Sequence, residues 1–252
     1  MSQRIIICVL VTVLMSCGGG GSQSRQLTVE PEEVINPDLK ILMMGNSHTT
    51  PIPTLLRQIF HVANPELRVQ VTQAPGGMFL IERMADNRNV NMLKEGDWTH
   101  VVLQALKYST SGLYDYSTMG AEFFIDLSNE LGTVPILFPE HPRKGNSWES
   151  SYLYQLHTGV AQEHPACVSP IGFVWEDFMS KSTLELHQID GNHATQAGSF
   201  LTALVIYQTI MSQENLHAIG YVSGVGVSQS EQSIMRASVA DITSSYRPCN
   251  YY

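Results

Sequence analysis

Basic residues are scarce in this chain. Fourteen lysines and arginines stand against 23 aspartates and glutamates among 252 residues, giving a formal charge of −9, and charged residues of all kinds make up only 15%. So acidic a chain, with no basic cluster, repels phosphate backbones and anionic headgroups, which excludes nucleic acid and anionic membrane surfaces as partners. Hydrophobic runs of membrane-spanning length are also missing from the body of the sequence, where about 20 apolar residues would be needed. There is no internal repeat, no phosphate-cradling glycine loop and no linker to a second domain. Gly220, Gly224 and Gly226 are turn glycines, because no helix follows them at the dinucleotide-fold spacing.

Cysteine is scarce too, with Cys8, Cys17, Cys167 and Cys249 the only four. Two of them fall in a distinctive N-terminal segment. Residues 1–16 carry one positive charge, at Arg4, then an apolar stretch from Ile5 to Met15. That stretch is too short to span a bilayer comfortably and fits the hydrophobic region of a secretory signal. Leu14-Met15-Ser16-Cys17 resembles the bacterial lipobox, in which the cysteine is lipidated and becomes the mature N-terminus, although Met15 is atypical at its place. A plain signal peptide cleaved nearby is the competing reading. Gly18-Gly19-Gly20-Gly21-Ser22-Gln23-Ser24 is a flexible polar tether. The expected organisation is therefore a signal peptide over 1–16, a lipidated cysteine and tether over 17–37, and a domain over 38–252. The expected location is the cell envelope, with an anchor through Cys17. Loss of Arg4 with the leader makes the remaining chain one unit more acidic, and its length of about 230 residues suits one sizeable α/β core. An exported compartment would let Cys167 and Cys249 pair, pinning the C-terminal tail to the region just before the last strand; two unpaired buried thiols fit the sequence equally well.

Strand-like and helix-like segments alternate along the body. Strands are expected over Leu39–Met44, Leu67–Thr72, His100–Gln104, Val134–Phe138 and Cys167–Pro170. Helices are expected over Thr54–Val62, Met78–Ala85, Ala121–Leu131, Ser151–Gln162, Ala194–Met211 and Ser228–Ser244, with a loop over Gln213–Gly226. Such alternation implies parallel pairing with right-handed crossovers, and ligands then collect at the carboxyl ends of the strands. Ser47, Gly76 and Gln104 all fall at those ends.

Chemistry enters at two places. Ile41-Leu42-Met43-Met44-Gly45-Asn46-Ser47 is an apolar run that breaks at a glycine and presents a serine. Asp190-Gly191-Asn192-His193, ahead of the long apolar-periodic helix, sets a carboxylate three residues before an imidazole. A serine hydroxyl is a poor nucleophile until an imidazole can take its proton, and a carboxylate fixes the imidazole's tautomer and stabilises its charged form. Alone, each segment is also an ordinary strand exit or turn; their order along the chain joins them.

These blocks resemble the SGNH (GDSL-like) hydrolase superfamily, in which a Gly-Asp-Ser block opens the domain and an Asp-x-x-His block closes it. The resemblance covers about residues 38 to 245. It implies an α/β fold, a three-layer α/β/α arrangement with a parallel five-stranded sheet of flavodoxin-like order 2-1-3-4-5. It also implies Ser47 as nucleophile, His193 as base and Asp190 as its partner. Ala74-Pro75-Gly76-Gly77 stands where the family places an oxyanion-binding glycine amide, which points to Gly76 or Gly77 beside the amide of Ser47. The family's third block, Gly-x-Asn-Asp, is absent, and Leu103-Gln104 stands in its place. A branch of the superfamily carries Leu-Gln there, which makes Gln104 the candidate side-chain donor, with Tyr108 second; a polar residue bonded to a loop is the other reading of Gln104. Losing one oxyanion donor typically costs about 100- to 1000-fold in turnover.

Four residues are candidate substrate contacts: His48 beside the nucleophile, Tyr108, His141 after the fourth strand, and Trp148, whose face could stack on a sugar ring with that of Tyr152. His187, Asp190 and His193 are spaced three apart, but zinc needs a further ligand and an oriented second shell, so no metal and no cofactor is expected. SGNH relatives commonly cleave acetyl and other short acyl groups, which implies a serine esterase acting on a small-molecule or glycan ester, most plausibly a carbohydrate deacetylase. A non-catalytic glycan-binding protein of the same fold and a metal-dependent hydrolase are the alternatives. The acyl group, the alcohol and the oligomeric state are left open.

Overall fold

β1 (Leu39–Met44) is an inner strand of the sheet, paired on both sides. In the computed structural model, which describes residues 36–212 and 215–252, its last four side chains are completely buried. A strand covered on both faces is apolar at every position, as Ile41-Leu42-Met43-Met44 is. Successive side chains point to opposite faces, so Ile41 and Met43 enter one core while Leu42 and Met44 enter another. The remaining strands are β2 (Val69–Gln73), β3 (His100–Leu103), β4 (Val134–Leu137) and β5 (Cys167–Val168). All pairs are parallel and the order is β2-β1-β3-β4-β5, as expected.

The helices are α1 (Ile52–Ala63), α2 (Leu80–Met84), α3 (Asn87–Glu95), α4 (Met119–Glu130), α5 (Glu149–Glu163), α6 (Ile171–Lys181), α7 (Gln196–Met211) and α8 (Gln229–Ser245). α1, α6, α7 and α8 pack on the Ile41 and Met43 face, and α2 to α5 on the other, which completes three layers. α7 is apolar and buried on nearly every side, the pattern of a helix enclosed by its neighbours. Thr195 caps its start by accepting a hydrogen bond from the amide of Gly198, and the Tyr207 hydroxyl donates to Asn64 Oδ1 at 2.6 Å.

Two helices depart from the expectations. α3 has no apolar stripe to announce it: only Asn89 and Leu93 are buried, and its start is secured by the Asp86 carboxylate, which accepts from the amide of Arg88. α6 begins immediately beyond Pro170, in a stretch to which the sequence assigned no element, and β5 is correspondingly shorter than expected. Within the expected 213–226 loop, a single 3-10 turn forms over Leu216–Ala218.

Cys167 and Cys249 form a disulfide across a sequence separation of 82. Because Cys167 lies in β5, the bridge holds the C-terminal tail on the last strand itself and not on the segment before it, and the Val168 amide donates to the Pro248 carbonyl at 2.7 Å alongside. The leader, Cys8, Cys17 and the tether as far as residue 35 lie outside the described residues. Among the described residues no helix is long and apolar enough to cross a membrane.

A cross-link closing so long a loop restricts the unfolded chain most, and is worth about 2–5 kcal/mol. The double substitution Cys167→Ala/Cys249→Ala is expected to lower the unfolding free energy by about that amount in urea titrations, with the fold retained by circular dichroism.

Candidate active site

The chain leaves β1 at Gly45, and the first thing it does is turn. A Cβ on Gly45 would lie 2.4 Å from Gln104 Oε1 and 2.5 Å from Thr49 Cγ2, so only glycine fits. Asn46 then caps a short 3-10 turn, Ser47–Thr49, its Oδ1 accepting from the amide of His48 at 3.1 Å. The Asn46 amide is held in turn by Gln104 Oε1 at 2.7 Å. Ser47 is left exposed at the carboxyl edge of the sheet.

The closing segment arrives at the same edge. Its loop is fastened to the segment after β4 at three points: the Lys144 amide donates to Gly191 O (2.9 Å), and the ring Nε2 atoms of His187 and His141 bond to Pro142 O (2.8 Å) and Asn192 O (2.9 Å). Asp190 folds back on its own loop, Oδ1 accepting from the amides of Asn192 and His193 at 3.0 Å each. Its Oδ2 lies 2.6 Å from His193 Nδ1. A carboxylate can only accept, so Nδ1 carries the hydrogen and Nε2 is left as an acceptor. Ser47 Oγ lies 3.0 Å from that Nε2. The structure thus brings together Ser47, His193 and Asp190. The His193 ring N–H, followed by the two backbone amides, holds the Asp190 carboxyl well below the usual carboxylate range.

His48 and His141, both expected at the substrate, are largely covered by neighbouring rings. The His48 side chain is only 7% exposed and stacks on His193, with centroids 4.9 Å apart and 12° between the planes. His141 is buried and stacked on Trp175 at 3.9 Å. His48 thus packs on the His193 ring, and His141 holds the His193 loop through Asn192 O. Burial, and then the neighbouring His193, pushes His48 down to about 4; burial, and then His48, pushes His141 down to about 3. Both are therefore neutral at neutral pH.

Gln104 makes the loop bonds that were the other reading of it. It is fully buried, and its amide nitrogen donates to Glu140 Oε1 at 2.5 Å while its oxygen takes the Asn46 amide. The side chain therefore fastens the Ser47 turn to the loop after β4, with no part of it exposed. Pro75, Gly76 and Gly77, by contrast, are exposed beside that turn, a Cβ at Gly77 falling 3.9 Å from Asn46 Cα. Gly76 has φ +76°, which a residue with a side chain adopts only under strain. No acceptor among the described residues takes the Gly76 or Gly77 amide hydrogens.

Tyr108, second choice as a donor, gives its hydroxyl to Glu149 Oε1 at 2.9 Å, and Trp148 stands at the rim, 43% exposed and 5.1 Å from the Tyr152 ring. Among the described residues no three His, Cys, Asp or Glu side chains gather as metal ligands; His187 is turned to Pro142, away from Asp190. Arg83 carries no role in the sequence, and Glu140 stands only within the 139–143 loop, which follows the fourth strand and reads equally as a substrate contact or a scaffold; burial alone distinguishes the two residues.

Burial raises the Glu140 carboxyl from 4.5 to about 7, against the opposing hydrogen bond from Gln104. A raised carboxyl contributes stability that is complete below about 4.5 and lost as pH climbs through about 7. Glu140→Gln keeps an oxygen for Gln104 and removes the titration. The variant is expected to lose less thermal stability than the parent between pH 5 and 8, read as the difference between their Tm profiles; parallel profiles would refute it.

No protein-family model matches the sequence, and neither does any curated protein. Solved structures do match. A protein from Slackia heliotrinireducens described as an SGNH hydrolase superposes with TM-score 0.55 at 24% identity, over 68% of this chain and 98% of that one. The psychrotrophic esterase EstA from Pseudoalteromonas sp. gives 0.52 at 17% identity, over 69% and 98%. TesA gives 0.51 at 15% identity, over 69% and 98%. The chain therefore has the fold of the SGNH hydrolases.

Proposed function

We propose that this protein is a serine esterase that removes short acyl groups, acetyl foremost, from carbohydrate. The observation that carries the reading is the unbroken row Ser47 Oγ, His193 Nε2, His193 Nδ1, Asp190 Oδ2, with separations of 3.0 and 2.6 Å. Ser47 attacks the ester carbonyl while His193 takes its proton, and Asp190 stabilises the imidazolium that forms. The tetrahedral intermediate collapses as His193 returns that proton to the leaving alcohol. Water then attacks the acyl-serine, giving its proton to His193, and the carboxylic acid departs as Ser47 is restored.

The site's openness supports the substrate class. Ser47, Gly76 and Gly77 are all exposed, which suits a small acyl group projecting from a large molecule better than a long acyl chain needing an enclosed tunnel. The exposed Trp148, 5.1 Å from the Tyr152 ring, offers an aromatic face of the kind that suits sugar rings. The esterase among the structural neighbours is consistent with ester cleavage. We further propose export and anchoring through Cys17, as the leader suggests; a Cys167–Cys249 disulfide agrees with an oxidising compartment.

Incubation with a fluorophosphonate should add one phosphonyl group at Ser47 by mass spectrometry, and Ser47→Ala should abolish it. Acetylated xylo-oligosaccharides should release acetate, with kcat reduced at least about 1000-fold in Ser47→Ala and His193→Ala and at least about 100-fold in Asp190→Asn. Binding of the oligosaccharide without labelling or acetate release would establish the non-catalytic alternative.

A further inference from the structure

The row of catalytic groups leaves one buried charge unexplained. Arg83, on α2, is fully buried, and burial pushes its guanidinium pKa down, with Asp86 the nearby carboxylate that opposes the shift. Burying a cation without a direct ion pair is costly unless its hydrogens are satisfied. Here the two terminal nitrogens are satisfied largely by backbone, while Nε has no partner among the described residues. Nη1 donates to Pro75 O at 3.0 Å and to Asn89 Oδ1, and Nη2 donates to Gly45 O and Gly76 O. Asn89 is held in turn by its Nδ2 donating to Asp86 Oδ2 at 3.0 Å.

Those carbonyls belong to the two loops that meet at Ser47. A trans peptide is planar, so its N–H points opposite to its C=O, and no peptide here is cis among the described residues. Drawing Pro75 O and Gly76 O inward onto one guanidinium therefore turns the amides of Gly76 and Gly77 outward, toward solvent. The positive φ of Gly76 lets consecutive carbonyls converge on one side and consecutive amides on the other, the geometry of an anion-binding nest. The bond from the same Nη2 to Gly45 O ties this nest to the nucleophile turn, so one nitrogen sets the spacing between them.

We propose that Arg83 is the positioning residue of the oxyanion site, aiming the amides of Gly76 and Gly77 at the oxygen that becomes charged when Ser47 attacks. This rests on the esterase reading above. It accounts for a hole built from backbone donors in a chain whose Gln104 amide is committed to Glu140.

The test compares the full-length parent with Arg83→Lys, which keeps the charge and loses the fork, and with Asn89→Leu, which removes an outer acceptor of the guanidinium. Each is assayed for kcat, KM, melting temperature and affinity for a trifluoromethyl ketone, whose hemiketal oxyanion mimics the intermediate. Arg83→Lys should lower kcat about 100- to 1000-fold with KM changed less than about threefold, and ketone affinity should fall in parallel with kcat/KM. Asn89→Leu should show the same correlation at smaller amplitude, and decides the matter if Arg83→Lys does not fold. A folded variant that retains kcat, or that loses kcat while binding the ketone as the parent does, overturns the proposal. A parent that is neither labelled nor active overturns the esterase reading and this inference with it.

Discussion

Parallel strands can deliver their chain only at one end, and that constraint decides where this molecule can do chemistry. With β1 in the centre and β2 and β3 at its flanks, the turns after all three strands open onto a common edge. Ser47 follows the first, Gly76 and Gly77 the second, Gln104 the third. The fourth strand adds Glu140 and the segment to which the closing loop is tied. A serine and a histidine 146 residues apart can then meet at 3.0 Å, because register places the Ser47 turn beside the segment after β4 and the rings of His187 and His141 fasten the His193 loop to that segment.

What register cannot do is orient an imidazole, and the ground beneath the site serves that end. His193 is stacked on His48, which meets His141 edge-on at 5.3 Å, which is stacked on Trp175 from α6. The rings of His48 and His141 are neutral at neutral pH, so they supply contact without adding a positive charge beside His193. The carboxylate bonded to His193 is that of Asp190, which lies at the surface and remains ionised through its hydrogen bonds. The apolar support is buried and the charged support exposed, which avoids the desolvation a buried carboxylate would suffer.

Much of this was legible in the sequence where one physical signal dominated. β1 was readable to the residue because burial on both faces demands four consecutive apolar side chains and the following glycine must accommodate Gln104. The Asp190 to His193 spacing was readable because a carboxylate accepting two amides of its own loop is a local motif. α3 was not, since most of its side chains meet water and its stability comes from a cap. Arg83, Glu140, and the supporting roles of His48 and His141 were illegible for a different reason. A polar residue's role depends on what burial surrounds it with, and that is a property of distant segments that no spacing encodes.

Gln104 illustrates how one added methylene changes a role. An asparagine at the end of β3 has a short stem, and its amide would emerge near the strand end. The longer glutamine reaches past Gly45, whose missing side chain leaves the room, and bonds the Asn46 amide on one side and Glu140 on the other. The backbone then adapts around it: Ala105, the next residue, holds φ +73°, a region that L side chains seldom occupy, and its carbonyl receives the first amide of α2, that of Leu80, at 3.0 Å. α2 is the helix that carries Arg83. The strained step after β3 thus connects the two devices, since the same residue pair that ties down the nucleophile turn also sets the start of the helix whose guanidinium holds Gly45 and Gly76. Replacing Gln104 by the shorter asparagine would therefore leave the Asn46 amide and Glu140 without their common partner.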